Sequence, residues 1–275
     1  MTFYYSSTVC KVDDKPILGN ILPKMVSVFC SHVLWIALYL FGGGAYLHAT
    51  TAIAVTTATS AYIGADSKVD PGGTMCKLVV NKRVAVGMSG QLADRATNFS
   101  AARSVATALA GSRGFKDAID SVIRNVEPPL KRSMKWGFVN DPTTYAQEFQ
   151  GKNALALLIV GIGERGQPQI VYVAWRTENG DIMRLPISRF GQNAFDAIGV
   201  YDAFIPYLSA HPEWKSIGAV DRIRKVLEIE SAASPDMVGP PFSIIVSGAK
   251  GLRWIQRGPC ETSPKHGEPK GPKAK

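Results

Sequence analysis

Thr50 stands at the start of a stretch whose residue types and spacing suit amide hydrolysis. A threonine hydroxyl is a weak nucleophile until a base removes its proton. The free α-amino group of an N-terminal threonine is such a base, with an ordinary pKa of about 8. This chemistry requires the peptide bond between Ala49 and Thr50 to be cut. We therefore predict that the working protein begins at Thr50 and that Thr50 is its nucleophile.

Three later residues are candidates to assist Thr50. A lysine ammonium beside the terminal amine favours the neutral amine, because a like charge lowers the amine pKa, and Lys77 is the candidate. Asp66 is predicted to hold Lys77 charged and oriented. Gly90 suits an oxyanion hole, because its N–H can approach a reacting carbonyl without side-chain hindrance. Each residue alone fits an ordinary strand or turn role, but together they follow the order that the mechanism needs.

The elements that must position these residues occur in the order strands, two helices, strands, two helices, strands. The patterns predict helices over 94–111, 114–127, 193–209 and 217–233, with Pro128 and Pro129 closing the second. They predict strands over 51–56, 61–65, 76–80, 83–88, 154–160, 169–175, 182–186, 242–247 and 252–256. This order predicts an α+β fold, a four-layer αββα sandwich of two mostly antiparallel sheets flanked by helices, with one domain over 50–257.

Residues 1–49 are predicted to be a leader. The apolar run Val33–Phe41 is short for a membrane span, which needs about 20 residues, although extension back to Met25 reaches that length. A short apolar region, a glycine stretch at 42–44 and a small residue at Ala49 are typical of a secretory signal peptide. A cleaved signal, which predicts an exported protein, a retained membrane anchor and a cytoplasmic propeptide all remain possible interpretations.

Cysteine and histidine usage indicates no metal or cofactor site. The four cysteines, Cys10, Cys30, Cys76 and Cys260, form no CxxC motif. Cys76 and Cys260 can pair only if the fold brings them together. Of the four histidines, only His211 lies in the predicted domain. We therefore expect no cofactor and no metal.

The net charge of +9 is compatible with nucleic-acid or anionic membrane binding. No basic stripe interleaved with aromatic residues supports nucleic-acid binding, so we predict a basic surface without a nucleic-acid partner. Residues 258–275, rich in lysine, proline and glycine, are predicted to be a disordered tail.

Four short segments carry a resemblance to a known family. They are Thr50-Thr-Ala-Ile-Ala, Ile-Gly-Ala-Asp66-Ser-Lys, Cys-Lys77-Leu-Val-Val and Val-Gly-Met-Ser-Gly90-Gln-Leu-Ala-Asp94. Together they resemble the front half of a proteasome β subunit or its bacterial HslV-type relative, both N-terminal nucleophile hydrolases. The resemblance is strong over 50–95 and agrees in element order over 154–256.

The resemblance implies further site residues towards the C-terminus. The segment Asp236-Met-Val-Gly239 is similar to the family's Asp-x-x-Ser, which implies that Asp236 supports the terminal amine and that Gly239 replaces a serine. Phe190-Gly-Gln192-Asn193 is similar to the family's Gly-Ser-Gly turn, with Gln192 at the position of the supporting serine. Ala49 before Thr50 differs from the glycine of self-processing subunits, which agrees with cleavage by a separate peptidase.

The resemblance implies a threonine-type peptidase that acts on peptides or unfolded proteins inside a homo-oligomeric ring. The alternative is a degenerate proteasome-like subunit with a structural or peptide-binding role, which a retained leader would hold at a membrane. The absence of the two supporting serine hydroxyls favours the alternative, and the intact set of Thr50, Asp66, Lys77 and Gly90 favours the peptidase.

Overall fold

A computed structural model describes residues 51–69, 73–200 and 202–261. The predicted leader, Thr50 and residues 262–275 lie outside the described residues. None of the helices within the described ranges is long and apolar enough to span a membrane.

The strands begin with Thr51, and many are short. In chain order they are β1 Thr51–Thr56, β2 Ala61–Ala65, β3 Lys68–Val69, β4 Gly73–Thr74, β5 Leu78–Val80, β6 Val84–Gly90, β7 Ala93–Asp94, β8 Phe99–Ser100, β9 Asn153–Ile162, β10 Pro168–Glu178, β11 Asp181–Arg184, β12 Ser188–Phe190, β13 Phe195–Gly199, β14 Ser243–Gly248 and β15 Gly251–Gln256. The α-helices are α1 Ala101–Ala110, α2 Phe115–Asn140, α3 Pro142–Glu148, α4 Phe204–Ala210 and α5 Ala219–Ala233, and Pro212–Ser216 and Gly258–Glu261 are 3₁₀ turns.

The larger strands form two sheets in which every ladder is antiparallel. The first sheet has the order β13-β1-β2-β14-β15, and the second has the order β11-β10-β9-β6-β5 with β12 paired to β10. β13 is therefore an edge strand that lies directly beside β1. The first described residues of the predicted domain, those of β1, therefore lie one strand in from this edge.

Side-chain alternation along β9 shows how the layers are built. Leu155, Leu157 and Ile159 belong to the core between the second sheet and helices α1 and α2. The intervening residues Leu158 and Val160 belong to the core between the two sheets. Because both faces of β9 are covered, its sequence is almost continuously apolar.

A third core completes the sandwich on the other side. Ile53 and Val55 of β1 pack with Phe204 of α4 and Ile223 of α5. The order of layers is helices, sheet, sheet, helices. The predicted four-layer αββα sandwich is confirmed.

The predicted helix over 193–209 is wrong in its first half. Residues 195–199 form β13, which pairs with β1 from Thr51↔Gly199 to Val55↔Phe195. Phe195 and Ala197 pack towards the helices while Ile198 packs between the sheets. This alternation with a period of two is the geometry of a strand.

The first two predicted helices have different bounds. α1 begins at Ala101, because the Ser100 hydroxyl caps the helix by accepting a hydrogen bond from the Arg103 N–H. Residues 94–97 form a turn instead, in which Asp94 accepts hydrogen bonds from the Ala96 N–H and the Thr97 hydroxyl. α2 continues through Pro128 and Pro129 instead of ending there. A proline inside a helix costs about 3 kcal/mol, but the face of α2 on both sides of the prolines is buried in the core.

The predicted disordered tail is wrong at its beginning. Residues 258–261 form a 3₁₀ turn, and Cys260 forms a disulfide bond with Cys76. The two Cα atoms are 4.8 Å apart. The fold thus brings together the two cysteines whose pairing the sequence left open.

Candidate active site

The hairpin of β1 and β2 places Asp66 beside the first described residue of the domain. Ala52 pairs with Ala65, so Asp66 leaves β2 opposite Thr51. The Asp66 N–H donates to the Thr51 carbonyl at 3.2 Å, and the Thr51 N–H donates to Asp66 Oδ1 at 2.9 Å. The carboxylate is therefore held against the backbone of residue 51.

Lys77 binds the same carboxylate. Its Nζ lies 2.9 Å from both Oδ1 and Oδ2 of Asp66, and each residue is 1% exposed. Burial lowers the pKa of Lys77 to about 8, and the charge and hydrogen bonds of Asp66 oppose this shift. At neutral pH Lys77 is thus an ammonium that loses its proton far more readily than a surface lysine.

Thr50 itself lies outside the described residues, whereas the neighbouring hydroxyl of Thr51 is engaged elsewhere. Thr51 Oγ1 donates to the Val200 carbonyl at 2.6 Å, and Thr51 is fully buried. This bond ties the end of β13 to the start of β1. Thr51 accordingly has a structural role that needs no free hydroxyl.

Gly90 ends β6 in a conformation that suits glycine. Its φ is +103°, and a Cβ at this position would lie 2.5 Å from the Ala154 carbonyl oxygen. The next N–H, that of Gln91, donates to the same oxygen at 2.6 Å. Gly90 and Gly199, the strand partner of Thr51, line one cavity. The fold therefore brings Gly90 to the end of β1 at which Thr51 lies.

The segment that contains Asp236 reaches the loop after Asp66, but the Asp236 side chain is exposed. The Gly239 carbonyl accepts a hydrogen bond from the Ser67 N–H at 3.2 Å, and Lys68 Nζ donates to the Pro235 carbonyl. The backbone of this segment thus supports the loop. The predicted role of Asp236 towards the amine stays a prediction.

The predicted position of Gln192 is wrong. Gln192 Nε2 donates to the Ala58 carbonyl at 3.0 Å, in the turn that follows the far end of β1. The residues that face Thr51 are Gly199 and Val200 instead. The error follows from the missed strand β13. The segment that faces Thr51 is the one at the end of β13, eight residues further along the chain than Gln192.

Sequence reasoning also missed Asp196 on β13. Its side chain is partly buried and lines the cavity that contains Gly90. Burial raises the pKa of Asp196 to about 6, although the Ala197 N–H donates to it at 2.9 Å. A charged residue inside the apolar run Phe-Asp-Ala-Ile was the available signal, and the helix assignment concealed it.

The described residues contain no cluster of three or more histidine, cysteine, aspartate or glutamate side chains that could hold a metal ion. No protein-family model matches the sequence, and no curated protein matches it. Among solved structures, the chain is similar to Anbu (ancestral beta-subunit) from Yersinia bercovieri, at 14% identity and a TM-score of 0.48. The match covers 75% of this chain and 87% of the other. This similarity concerns the arrangement of elements and carries no function with it.

Proposed function

We propose that this chain is a threonine-type peptidase of the N-terminal nucleophile class, with Thr50 as nucleophile after cleavage behind Ala49. The observation that carries the proposal is the buried Asp66–Lys77 pair, whose carboxylate also accepts the Thr51 N–H. Consecutive Cα atoms are 3.8 Å apart. A nucleophile at position 50 is therefore the immediate neighbour of Thr51, whose N–H binds the carboxylate of this pair.

The pair supplies what the chemistry of a terminal threonine needs. The ammonium of Lys77 favours a neutral α-amine, which takes the hydroxyl proton as a general base. Asp66 keeps Lys77 oriented in a site from which water is largely excluded, where its charge acts strongly. Gly90 is the candidate donor to the oxyanion, and its backbone is held by the neighbouring bond to Ala154.

Export is part of the proposal, and the disulfide supports it. Cys76–Cys260 joins two segments of the folded domain. Disulfide bonds form and persist in oxidising compartments and are rare in the cytosol. We therefore favour a leader that is removed by a signal peptidase, which would both export the chain and free the amine of Thr50. Short or unfolded peptides are the proposed substrates, and a homo-oligomeric ring is the proposed assembly.

The alternative is a catalytically degenerate subunit that has a structural or peptide-binding role. Two observations favour it. Asp236, expected to support the amine, is exposed, and neither Gly199 nor Val200, which face Thr51, carries a hydroxyl.

N-terminal sequencing of the purified protein tests the proposal first. A mature start at Thr50 is expected, and a start at any other residue removes the proposed base and contradicts the mechanism. A threonine-directed epoxyketone, which reacts with the hydroxyl and the free amine together, tests the chemistry. A single adduct on Thr50 is expected by mass spectrometry.

Thr51→Ala is the matched control for Thr50→Ala. Both variants lose one threonine, but only Thr50→Ala should abolish labelling and hydrolysis. Thr51→Ala removes the bond to Val200 and should cost about 1 kcal/mol of stability while labelling at Thr50 continues. A protein confirmed to begin at Thr50 that forms no adduct would support the degenerate alternative.

A further inference from the structure

The cavity beside Gly90 contains a carboxylate that the proposed mechanism does not use. It measures about 460 Å³ and opens between the two sheets under the edge strand β13. Its lining includes Gly90, Gly199, Asn153, Tyr172, Phe190 and Asp196. Ligand pockets usually measure about 300–1,000 Å³, so this cavity has room for a long side chain.

Alternation along β13 places Asp196 on the face turned towards the second sheet. The Phe195 ring packs edge-on against Phe204 and Trp214 on the helical side, with centroids 5.6 and 5.0 Å apart. Ile198, two residues after Asp196, lies in the core between the sheets. Asp196 therefore presents a carboxylate where the neighbouring positions of the sheet carry apolar side chains.

No cationic side chain among the described residues neutralises Asp196. No lysine, arginine or histidine nitrogen in that part of the chain lies within 4 Å of its carboxylate. Its carboxylate accepts a hydrogen bond from the adjacent Ala197 N–H. A partly buried carboxylate without a counterion is unfavourable in its charged form. The same burial raises the pKa of Asp196. A cationic ligand would remove the cost.

The other polar groups of the cavity wall are neutral. Asn153 Nδ2 donates to the Tyr172 hydroxyl at 3.3 Å, and together they form a polar rim to which a guanidinium or ammonium can also donate. The end of the cavity lined by Gly90 and Gly199 is the end at which Thr51 lies. A side chain in the cavity would therefore belong to a peptide bound at the candidate active site.

We infer that this cavity is a substrate subsite for a lysine or arginine side chain, with Asp196 as the specificity-determining residue. The inference rests on the proposed function, because it assumes that a peptide binds across Gly90. The net charge of the whole chain is +9, and removal of residues 1–49, which carry three lysines and two aspartates, leaves +8. The overall field therefore repels cationic peptides. A preference for a basic side chain must then arise locally.

Binding is measured without turnover, on the Thr50→Ala protein, by isothermal titration calorimetry. The probes are acetylated pentapeptide amides Ala-Ala-Xaa-Ala-Ala in which Xaa is arginine, citrulline or glutamate. Citrulline keeps the shape of arginine and lacks its charge. If the guanidinium of the peptide forms a hydrogen-bonded charge pair with Asp196, the arginine peptide should bind at least about tenfold more tightly than the citrulline peptide.

Asp196→Asn, made in the same background, should reduce that ratio to about one, because the amide keeps the shape and loses the charge. Asp120→Asn on the exposed face of α2 removes an equal charge and should leave the ratio unchanged. Thermal unfolding confirms that each variant is folded. Three outcomes would overturn the inference. The Thr50→Ala protein could bind the arginine and citrulline peptides equally, it could fail to bind the arginine peptide, or the affinity ratio could stay the same after Asp196→Asn.

The two proposals fail separately in this design. Arginine-selective binding together with no hydrolysis of the same peptides by the processed protein would contradict the peptidase and leave the subsite standing. Hydrolysis of the arginine and citrulline peptides at equal rates would support the peptidase and contradict the subsite.

Discussion

Cys76 and Cys260 are 184 residues apart in the sequence and are joined by a disulfide bond, and Cys76 directly precedes Lys77. The bridge therefore fastens the C-terminal 3₁₀ turn to the segment that carries the candidate ammonium. Within a chain that begins at Thr50, these are the two cysteines, because Cys10 and Cys30 lie in the predicted leader.

We predict that the processed protein, denatured without reductant, contains no free thiol and yields two after reduction. The Cys76→Ala/Cys260→Ala double variant should lose roughly 2–5 kcal/mol of unfolding free energy, measured by denaturant titration. Its activity should fall as well, because the segment before Lys77 loses an anchor. Two free thiols in the unreduced protein would refute the bridge.

Activity should decline as pH rises through about 8. Burial lowers the pKa of Lys77 to about 8, so the site loses the ammonium charge above this pH. The terminal amine is neutral there without its help, so the decline tests a second role for that charge, the stabilisation of the negative charge that develops on the reacting carbonyl. In Lys77→Arg the guanidinium stays charged, and this decline should disappear while activity at pH 7 falls at least about tenfold through misplacement of the charge. Profiles of kcat/KM against pH test this, with circular dichroism to exclude unfolding. The same decline in Lys77→Arg would assign it to another group.

Gly90→Ala should destabilise the protein and abolish hydrolysis. A positive φ costs a residue with a side chain about 1–3 kcal/mol, and the added Cβ also meets the Ala154 oxygen at 2.5 Å. Gly166→Ala is the control, since its φ is +77° but nothing lies within 4 Å of the added Cβ. Thermal unfolding and peptide hydrolysis should show, for the control, only the loss of stability that the positive φ causes, about 1–3 kcal/mol, and normal activity. Normal activity of Gly90→Ala would show that catalysis does not need a residue without a side chain at position 90.

Asp196→Asn should stabilise the protein at neutral pH. The pKa of Asp196 is raised in the fold to about 6, so its favourable contribution is complete below about pH 4 and is lost as pH rises through 6. The carboxylate is partly exposed, so solvent reduces the effect to roughly 1 kcal/mol, or about 2–4 °C in Tm. Melting curves at pH 4.5 and 7.5 should show a gain at both values that is roughly threefold larger at pH 7.5. An equal shift at both values would indicate a packing effect.

Local signals predicted the front of the domain well. Strands at 51–56 and 61–65 were placed correctly, because their apolar residues are flanked by a turn rich in threonine and serine. The contact between Asp66 and Lys77 was also predicted, and the structure shows it. The catalytic role of each residue stays a prediction.

Tertiary packing decided what the sequence could not indicate. The run at 195–199 is short and apolar, so its period is ambiguous until β1 and the helices lie on either side of it. Pro128 and Pro129 similarly suggested a helix end, yet burial of the surrounding face outweighs their local cost. The misplacement of Gln192 and the omission of Asp196 both follow from the first of these ambiguities.

The hydrogen bond from the Thr51 N–H to Asp66 has a consequence for activation. It forms in a chain in which Thr50 is still joined to Ala49, and the Asp66–Lys77 pair is already complete there. On the proposed mechanism, the amide at Thr50 is enough to keep the precursor inert, because it withholds the base. Scission of one bond would then supply a terminal amine next to an Asp66–Lys77 pair that is already assembled.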